Sequence, residues 1–353
     1  MRVKIHSERI PEFESLRAFL AWWVVAGHVL NASPLSIPTS VKNLIWGGHA
    51  VNVFILLSGF VIFLLLDTRH ESYCAFIVRR VFRLWPVFLV CFFLTMFMTG
   101  LGPQETRWLV LSSNLILFQG AIPESWCANA VFAILPPSWS ISLEWQFYLV
   151  APILLFLARR RPWLFLTLIV GLVVIYQNLR DSKAYFFPSF LPLSLHLFLL
   201  GGLCYFTWSK APTFRVAKKL PAALVLAALV FISTRNIALV IWAGVFGYVL
   251  LKRMDDDSSE TSPGIVTRLT RWLGSISYST YLCHFFVILL LGRLFKAMGL
   301  LTHQPVVNYL LMLVAVAVVT LLLSWMLNSL VEKPGILLGR RLAQRLSPRM
   351  VSK

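Results

Sequence analysis

Residues 13–30 read FESLRAFLAWWVVAGHVL. An apolar run of this length is what a helix needs to cross a bilayer. Working outward, comparable runs lie near 16–33, 47–66, 84–101, 137–158, 163–179, 189–208, 220–234, 236–251, 274–292 and 306–330. Of the 353 residues, 58% are hydrophobic and 13% charged, where a soluble domain carries about 25% charge. The expected architecture is all-α: a polytopic transmembrane helical bundle of about ten spans, occupying residues 1–353 as a single domain. The first residues, MRVKIHSERIPEFES, are basic and polar with no small-residue cleavage site. The first run is therefore expected to be a retained span behind an N-terminal tail, 1–15.

One further apolar stretch, near 107–121, is short and interrupted by Ser112, Ser113, Asn114 and Gln119. Its crossing or not decides the orientation of everything that follows. If it does not cross and the N-terminus is cytoplasmic, Lys42, Arg107, Arg180, Lys183, Arg235, Arg293 and Lys296 fall outside and the rest of the 32 Lys and Arg fall inside. If it crosses, Arg159, Arg160, Arg161, Lys210, Arg215, Lys218, Lys219 and the basic C-terminus all move outside. The positive-inside rule selects the first arrangement. Both termini, including a C-terminal tail at 333–353, are then cytoplasmic, and 107–121 is a re-entrant segment or partial helix.

The formal net charge of +18 does not make this a nucleic-acid binder. The cations cluster between apolar runs, where topology signals belong, and no recognition motif accompanies them. Five cysteines without a CxxC pair argue against a disulfide framework and against a zinc site; no metal centre is expected. No GxSxG elbow is present, so a serine-hydrolase mechanism has no support.

Several polar groups inside the apolar runs are candidates for chemistry. Arg17 and His28 are eleven residues apart. Eleven steps of about 100° overshoot three turns by only about 20°, and the side chains sit roughly 16 Å apart along one face. Glu14 is within about 40° of the same face. His28 is either a hydrogen-bonded interior residue or an intramembrane site residue. In FIVRRVFRLWP, Arg79 and Arg83 share a face at i and i+4, with Arg80 beside them. These arginines either fix topology or hold a phosphate-rich ligand.

In PPSWSISLEWQFYLVAPILL, Pro136 and Pro137 permit a fresh helix start, with Ser138 or Ser140 available to cap it. Glu144 then enters a span and needs a partner or water. In LGSISYSTYLCHFFVILLL, Tyr278 and His284 are further candidates beside serines suited to interhelical hydrogen bonds. Ser58 and Gly59, in VNVFILLSGFVIF, read as a close-packing pair.

In this order, FESLRAFLAWWVVAGH, VNVFILLSGF, RRVFRLWP, WSISLEWQFY, LGSISYSTYLCHF and LVEKP resemble the acyltransferase-3 family of integral membrane acyltransferases. The resemblance covers almost the whole chain. It implies ten spans and transfer of an acyl group, usually acetyl from acetyl-CoA, onto hydroxyls of glycans or lipid-linked sugars. No permanently bound cofactor is implied; acetyl-CoA, or another acyl-CoA, is a co-substrate. The family's Arg-then-His pattern falls on Arg17 and His28, and its paired arginines on Arg79 and Arg83. The chain is similar to the members that lack an added extracytoplasmic domain, of the O-antigen or exopolysaccharide O-acetylase kind, and a bacterial inner membrane is implied. It departs from the family at Asn52 and Trp145, where acidic residues are common.

The expected mechanism has Arg17, Arg79, Arg80 and Arg83 holding the phosphates of acyl-CoA. His28 acts as general base or transient acyl carrier, and Glu144 orients the acceptor. The alternative is a transporter or flippase in which His28 and Glu144 relay a proton.

Overall fold

The computed structural model describes residues 10–33, 35–69, 71–100, 107–179, 189–210, 237–254, 264–300 and 302–346. Among these residues there is no strand. Among them, seven helices are long and apolar enough to cross a membrane.

The first helix, α1 (Pro11–Ala32), begins on a proline, which suits a first helical position because its missing N–H would be unpaired there anyway. A short α2 (Thr39–Leu44) leads into α3 (Gly47–Thr68). Helix α4 (Tyr73–Thr99) is capped by Ser72, whose hydroxyl accepts from the Ala75 N–H at 3.3 Å. The arginine cluster therefore sits inside a helix from its second turn onward, rather than ahead of a span starting at 84.

Helix α5 (Arg107–Leu115) has nine residues. At about 1.5 Å per residue it is far too short to cross a bilayer, and it gives way to single 3₁₀ turns at Gln119–Ala121 and Ala130–Phe132. This is the partial helix expected near 107–121. Helix α6 (Ser138–Arg160) follows Pro137 with no side-chain cap. The serines expected to cap it face inward instead. Ser138 Oγ accepts from Gln119 Nε2 at 2.9 Å, and Ser140 Oγ lies 2.8 Å from the Tyr281 hydroxyl.

Helices α7 (Pro162–Leu179), α8 (Leu191–Lys210), α9 (Ile237–Met254), α10 (Ile265–Ser275), α11 (Ser277–Ala297) and α12 (Pro305–Leu327) complete the bundle. The span expected at 220–234 lies outside the described residues. Residues 333–346, expected as a basic tail, form α13 (Lys333–Leu346), joined to α12 through a π-helical turn at Asn328–Glu332. Helix α13 packs along α4. A Cβ at Gly335 would come within 2.8 Å of Pro86 Cγ, and one at Gly339 within 2.5 Å of Phe82 Cβ. Glycine at both positions lets the two helices touch.

The closest packing is between α3 and α8. A Cβ on Gly59 would lie 2.0 Å from the Phe198 carbonyl oxygen, and one on Gly201 2.0 Å from that of Leu56. The two backbones are in reciprocal contact, as small residues permit in membranes. Helix α1 packs against α3, α10, α11 and α12, so it has helices on several sides. Lys252 on α9 donates to Glu12 on α1 at 2.6 Å.

Candidate functional site

Two neighbouring cavities lie among α1, α3, α4, α6, α11 and the π-turn. The larger has a volume of 670 Å³, within the range of small-molecule sites. Its cations are Arg17, Arg69, Arg79, Arg80, Arg83, Lys333 and Arg340, against the carboxylates Glu14, Glu144 and Glu332. The smaller, of 90 Å³, is walled largely by apolar side chains. Both share Arg17, Ser58, Arg83, Glu144, Ser277 and Tyr278. These six residues form a neck between a basic vestibule and a narrow inner chamber.

The arginines have different surroundings. Arg79 Nε donates to Glu71 Oε2 at 2.6 Å. Arg80 is buried, with its guanidinium over the rings of Phe76 and Tyr148 at 5.3 Å each, and its Nε has no hydrogen-bond partner. Arg83 faces Glu332, Tyr148, Glu144 and Tyr278. Arg17 lies 3.8 Å from Glu14 and also feels Arg83 and Glu144. Arg69, at the mouth between α3 and α4, is lowered in pKa first by burial. Arg79, Arg80 and Arg340 lower it further against the opposing effect of Glu71. Positive charge is in excess here, which is what a polyphosphate needs.

The carboxylates are held by hydroxyls. Glu144 Oε1 accepts from Ser58 Oγ at 3.0 Å and from the Tyr148 hydroxyl, one turn along α6. Glu332 is buried, and its Oε2 accepts from Ser279 Oγ at 2.7 Å and from Asn328 Nδ2 at 3.0 Å. Its backbone belongs to the π-turn, a geometry frequent at functional sites. Tyr278 donates to the Leu84 carbonyl of α4 at 2.6 Å.

The structure thus brings Arg17, Arg79, Arg80, Arg83, Glu14, Glu144 and Tyr278 to one continuous space. It places His28 and His284 elsewhere. Neither lines the vestibule or the inner chamber. His28 is four residues from the end of α1, eleven residues along the helix from Arg17. Its ring meets that of His284 at 5.1 Å, edge to face, and that of Phe285 at 6.2 Å. His284 is fully buried; its Nδ1 is 3.3 Å from the Thr280 carbonyl and its Nε2 has no partner. The His284 ring in turn packs on Tyr281 at 5.9 Å, and Tyr281 is a wall of the inner chamber. His28 is two ring contacts from that chamber.

Sequence reasoning did not single out Glu332, Asn328, Tyr148, Tyr281 or Arg69 as site residues. Glu332 carried a signal: a lone carboxylate at the end of an apolar span. Ser58 was read as packing; Gly59 does pack, while Ser58 faces the neck.

Residues 10–329 match the acyltransferase-3 family, described as an acyltransferase domain. The chain belongs to the acyltransferase-3 family. This acyltransferase-3 chain is 32% identical to the acyltransferase MdmB of Streptomyces mycarofaciens over 164 residues, 44% of this chain and 41% of that protein. It is 29% identical to the O-acetyltransferase OatA of Staphylococcus aureus over 257 residues, 63% of this chain and 38% of that protein. It is 30% identical to nodulation protein 10 of Rhizobium leguminosarum bv. viciae over 168 residues, 42% of this chain and 45% of that protein. The acyltransferase-3 match thus spans about two fifths of the length of these relatives. No solved structure matches the chain.

Proposed function

We propose that this chain is a membrane O-acyltransferase. It moves acetyl from cytoplasmic acetyl-CoA onto a hydroxyl of a glycan or lipid-linked sugar in a bacterial inner membrane, with both chain termini cytoplasmic. The observation that carries this reading is the neck. A cation-rich vestibule of 670 Å³ narrows through Arg17, Ser58, Arg83 and Glu144 into a small apolar chamber. A polyphosphate donor with a short acyl end has that shape and charge pattern. The relative OatA, an O-acetyltransferase, points the same way.

In this reading the donor's phosphates lie among Arg69, Arg79, Arg80, Arg83 and Arg340, and its thioester reaches the neck. The acceptor oxygen attacks the thioester carbonyl while a base removes its proton. The C–S bond breaks, an ester forms, and the thiolate takes a proton to leave as free CoA. We assign the base to His28, whose ring packs edge to face on that of His284. Since His28 stands behind Tyr281, this assignment requires the Tyr281 side chain to leave Ser140 during the reaction. Glu144 holds Ser58 of the neck and Tyr148 of the vestibule in place. A proton relay between His28 and Glu144 has less support, because the two share no hydrogen-bond or ring partner.

The test is to incubate membranes carrying the chain with acetyl-CoA radiolabelled in the acetyl group and a panel of glycans and lipid-linked sugars. Label should pass to an acceptor with one free CoA released per acetyl. Absence of both transfer and CoA release, with the protein present, would overturn the assignment.

A further inference from the structure

Two short helices bordering the vestibule are apolar on one exposed side and cationic beside it. Helix α10 seats its inner edge on α1: Thr270 Oγ1 lies 2.9 Å from Ser15 Oγ, and Gly274 lies against the Glu14 backbone. Glu14 is in the first turn of α1, so α10 stands level with the end of that span. On the outer side of α10, Ile265, Val266, Leu269 and Trp272 are exposed, the first two at 79% and 73%. At about 100° per residue these four fill an arc of about 120°, and Arg268 and Arg271 follow past one edge of it.

Helix α13 repeats the pattern against α4. Gly335 lies on Pro86 and Gly339 on Phe82, while Ser72, the cap of α4, donates to the Leu346 carbonyl at 3.2 Å. Helix α12 alone is long enough to cross a bilayer, and α13 extends the same helical stretch to 42 residues, so it reaches past the hydrocarbon core. Leu337 and Leu338 are exposed on it, with Arg341 one turn further along and Arg345 one turn beyond that. Gly274 and Ser275 of α10 and Lys333, Ile336 and Arg340 of α13 line the vestibule.

Faces of this kind are unfavourable in water and suit the headgroup region of a bilayer. There the apolar side chains enter the acyl-chain boundary and the arginines reach phosphate. Helix α9 continues the surface: Tyr248 and Leu251 are exposed near its end, and Lys252 feels the charge of Arg271. We propose that α10 and α13 are interfacial helices that bind anionic phospholipid beside the vestibule and hold its opening at headgroup level. The proposal stands independently of the acyl-transfer reading. Each cation next to an anionic lipid surface strengthens attachment about fivefold, and the two helices present Arg268, Arg271, Arg341 and Arg345 to it.

The experiment uses the full chain in vesicles of equal parts phosphatidylcholine and phosphatidylglycerol. The photoreactive p-benzoylphenylalanine stands in place of Leu269 or Leu338, or of Val314, an exposed residue of α12 that serves as control. After illumination, mass spectrometry identifies what each position has captured. Positions 269 and 338 should both capture lipid, phosphatidylglycerol over phosphatidylcholine by at least about fivefold, whereas position 314 should capture the two alike. Arg268→Gln with Arg271→Gln should abolish the preference at 269, and Arg341→Gln with Arg345→Gln that at 338. Elution as a monodisperse species in detergent checks folding, and Val266 or Leu337 takes the probe where a variant fails it. Capture of a second copy or of another segment of the chain, equal capture of the two lipids at 269 or 338, a preference that survives loss of the arginines, or no capture at these positions while 314 captures lipid would each overturn the proposal.

Discussion

Glu144 Oε1 accepts a hydrogen bond from Ser58 Oγ at 3.0 Å, tying α6 to α3 at the point where the vestibule meets the inner chamber. The same oxygen accepts from Tyr148, and the guanidinium groups of Arg17, Arg80 and Arg83 stand in its field. Glu144→Ala leaves two hydroxyls without their acceptor and three cations without this counter-charge. Hydrogen bonds to charged groups are worth about 1.5–3 kcal/mol, or roughly 10–100-fold in rate. Transfer by Glu144→Ala membranes should fall by at least that factor. Glu144→Gln, which keeps an acceptor oxygen, should fall less. Equal activity in all three forms, measured as labelled acetyl transferred per unit of protein, would remove Glu144 from the site.

Arg83 belongs to both cavities, whereas Arg159 pairs with Asp67 and lines neither. Arg83→Ala should raise the KM for acyl-CoA by about 10–100-fold, the scale of one charge-assisted contact. Arg159→Ala should leave that KM where it is and act only on stability. The pair of substitutions separates donor binding from a general loss of positive charge, and initial rates over a range of acetyl-CoA concentrations decide it.

His28→Ala should reduce transfer by about 10²–10⁴-fold, the usual worth of a general base, while the protein still elutes as the folded species. Transfer that persists at the native rate would place the base at the neck instead. Glu144 is the carboxylate that stands there.

Gly59→Ala puts a methyl group 2.0 Å from the Phe198 carbonyl, and Gly201→Ala does the same to Leu56. Overpacking of a tight interface costs about 1–3 kcal/mol. Each variant should therefore melt at a lower temperature in detergent. Because both act on the α3–α8 contact, the double variant should lose less than the sum of the two. A strictly additive loss would mean that the helices do not separate as a unit.

Much of this arrangement was legible in the sequence. Hydropathy located the helices, and the i, i+4 spacing of Arg79 and Arg83 put both arginines on the vestibule. The interruptions at Ser112, Ser113 and Asn114 marked a helix too short to span; Ser113 and Asn114 bond to its own last turn and loop. Other features depended on contacts far apart in the chain. Ser58 meets Glu144 across 86 residues, and Glu332 meets Ser279 across 53. Helical angle aligned Arg17 with His28, but one face of a long helix meets different neighbours at different depths. Arg17 opens on a cavity, and His28 rests against His284. The density of cations after Lys333 hid an apolar face, where Gly339 and Ala343 are buried.

The π-turn at Asn328–Glu332 carries one residue more than an α-helical turn would use, and that surplus sets the phase of everything after it. Winding the same residues as a regular α-helix, with none removed, would rotate α13 by about 100°. Gly335 and Gly339 would swing off Phe82 and Pro86, and bulkier neighbours would be driven into α4. The helix that presents Arg79, Arg80 and Arg83 to the vestibule is thus braced by the angular offset of a distant turn. A frame-preserving loss of one codon there that spares Glu332 removes the surplus together with the turn, and should leave the packing of α13 on α4 in place.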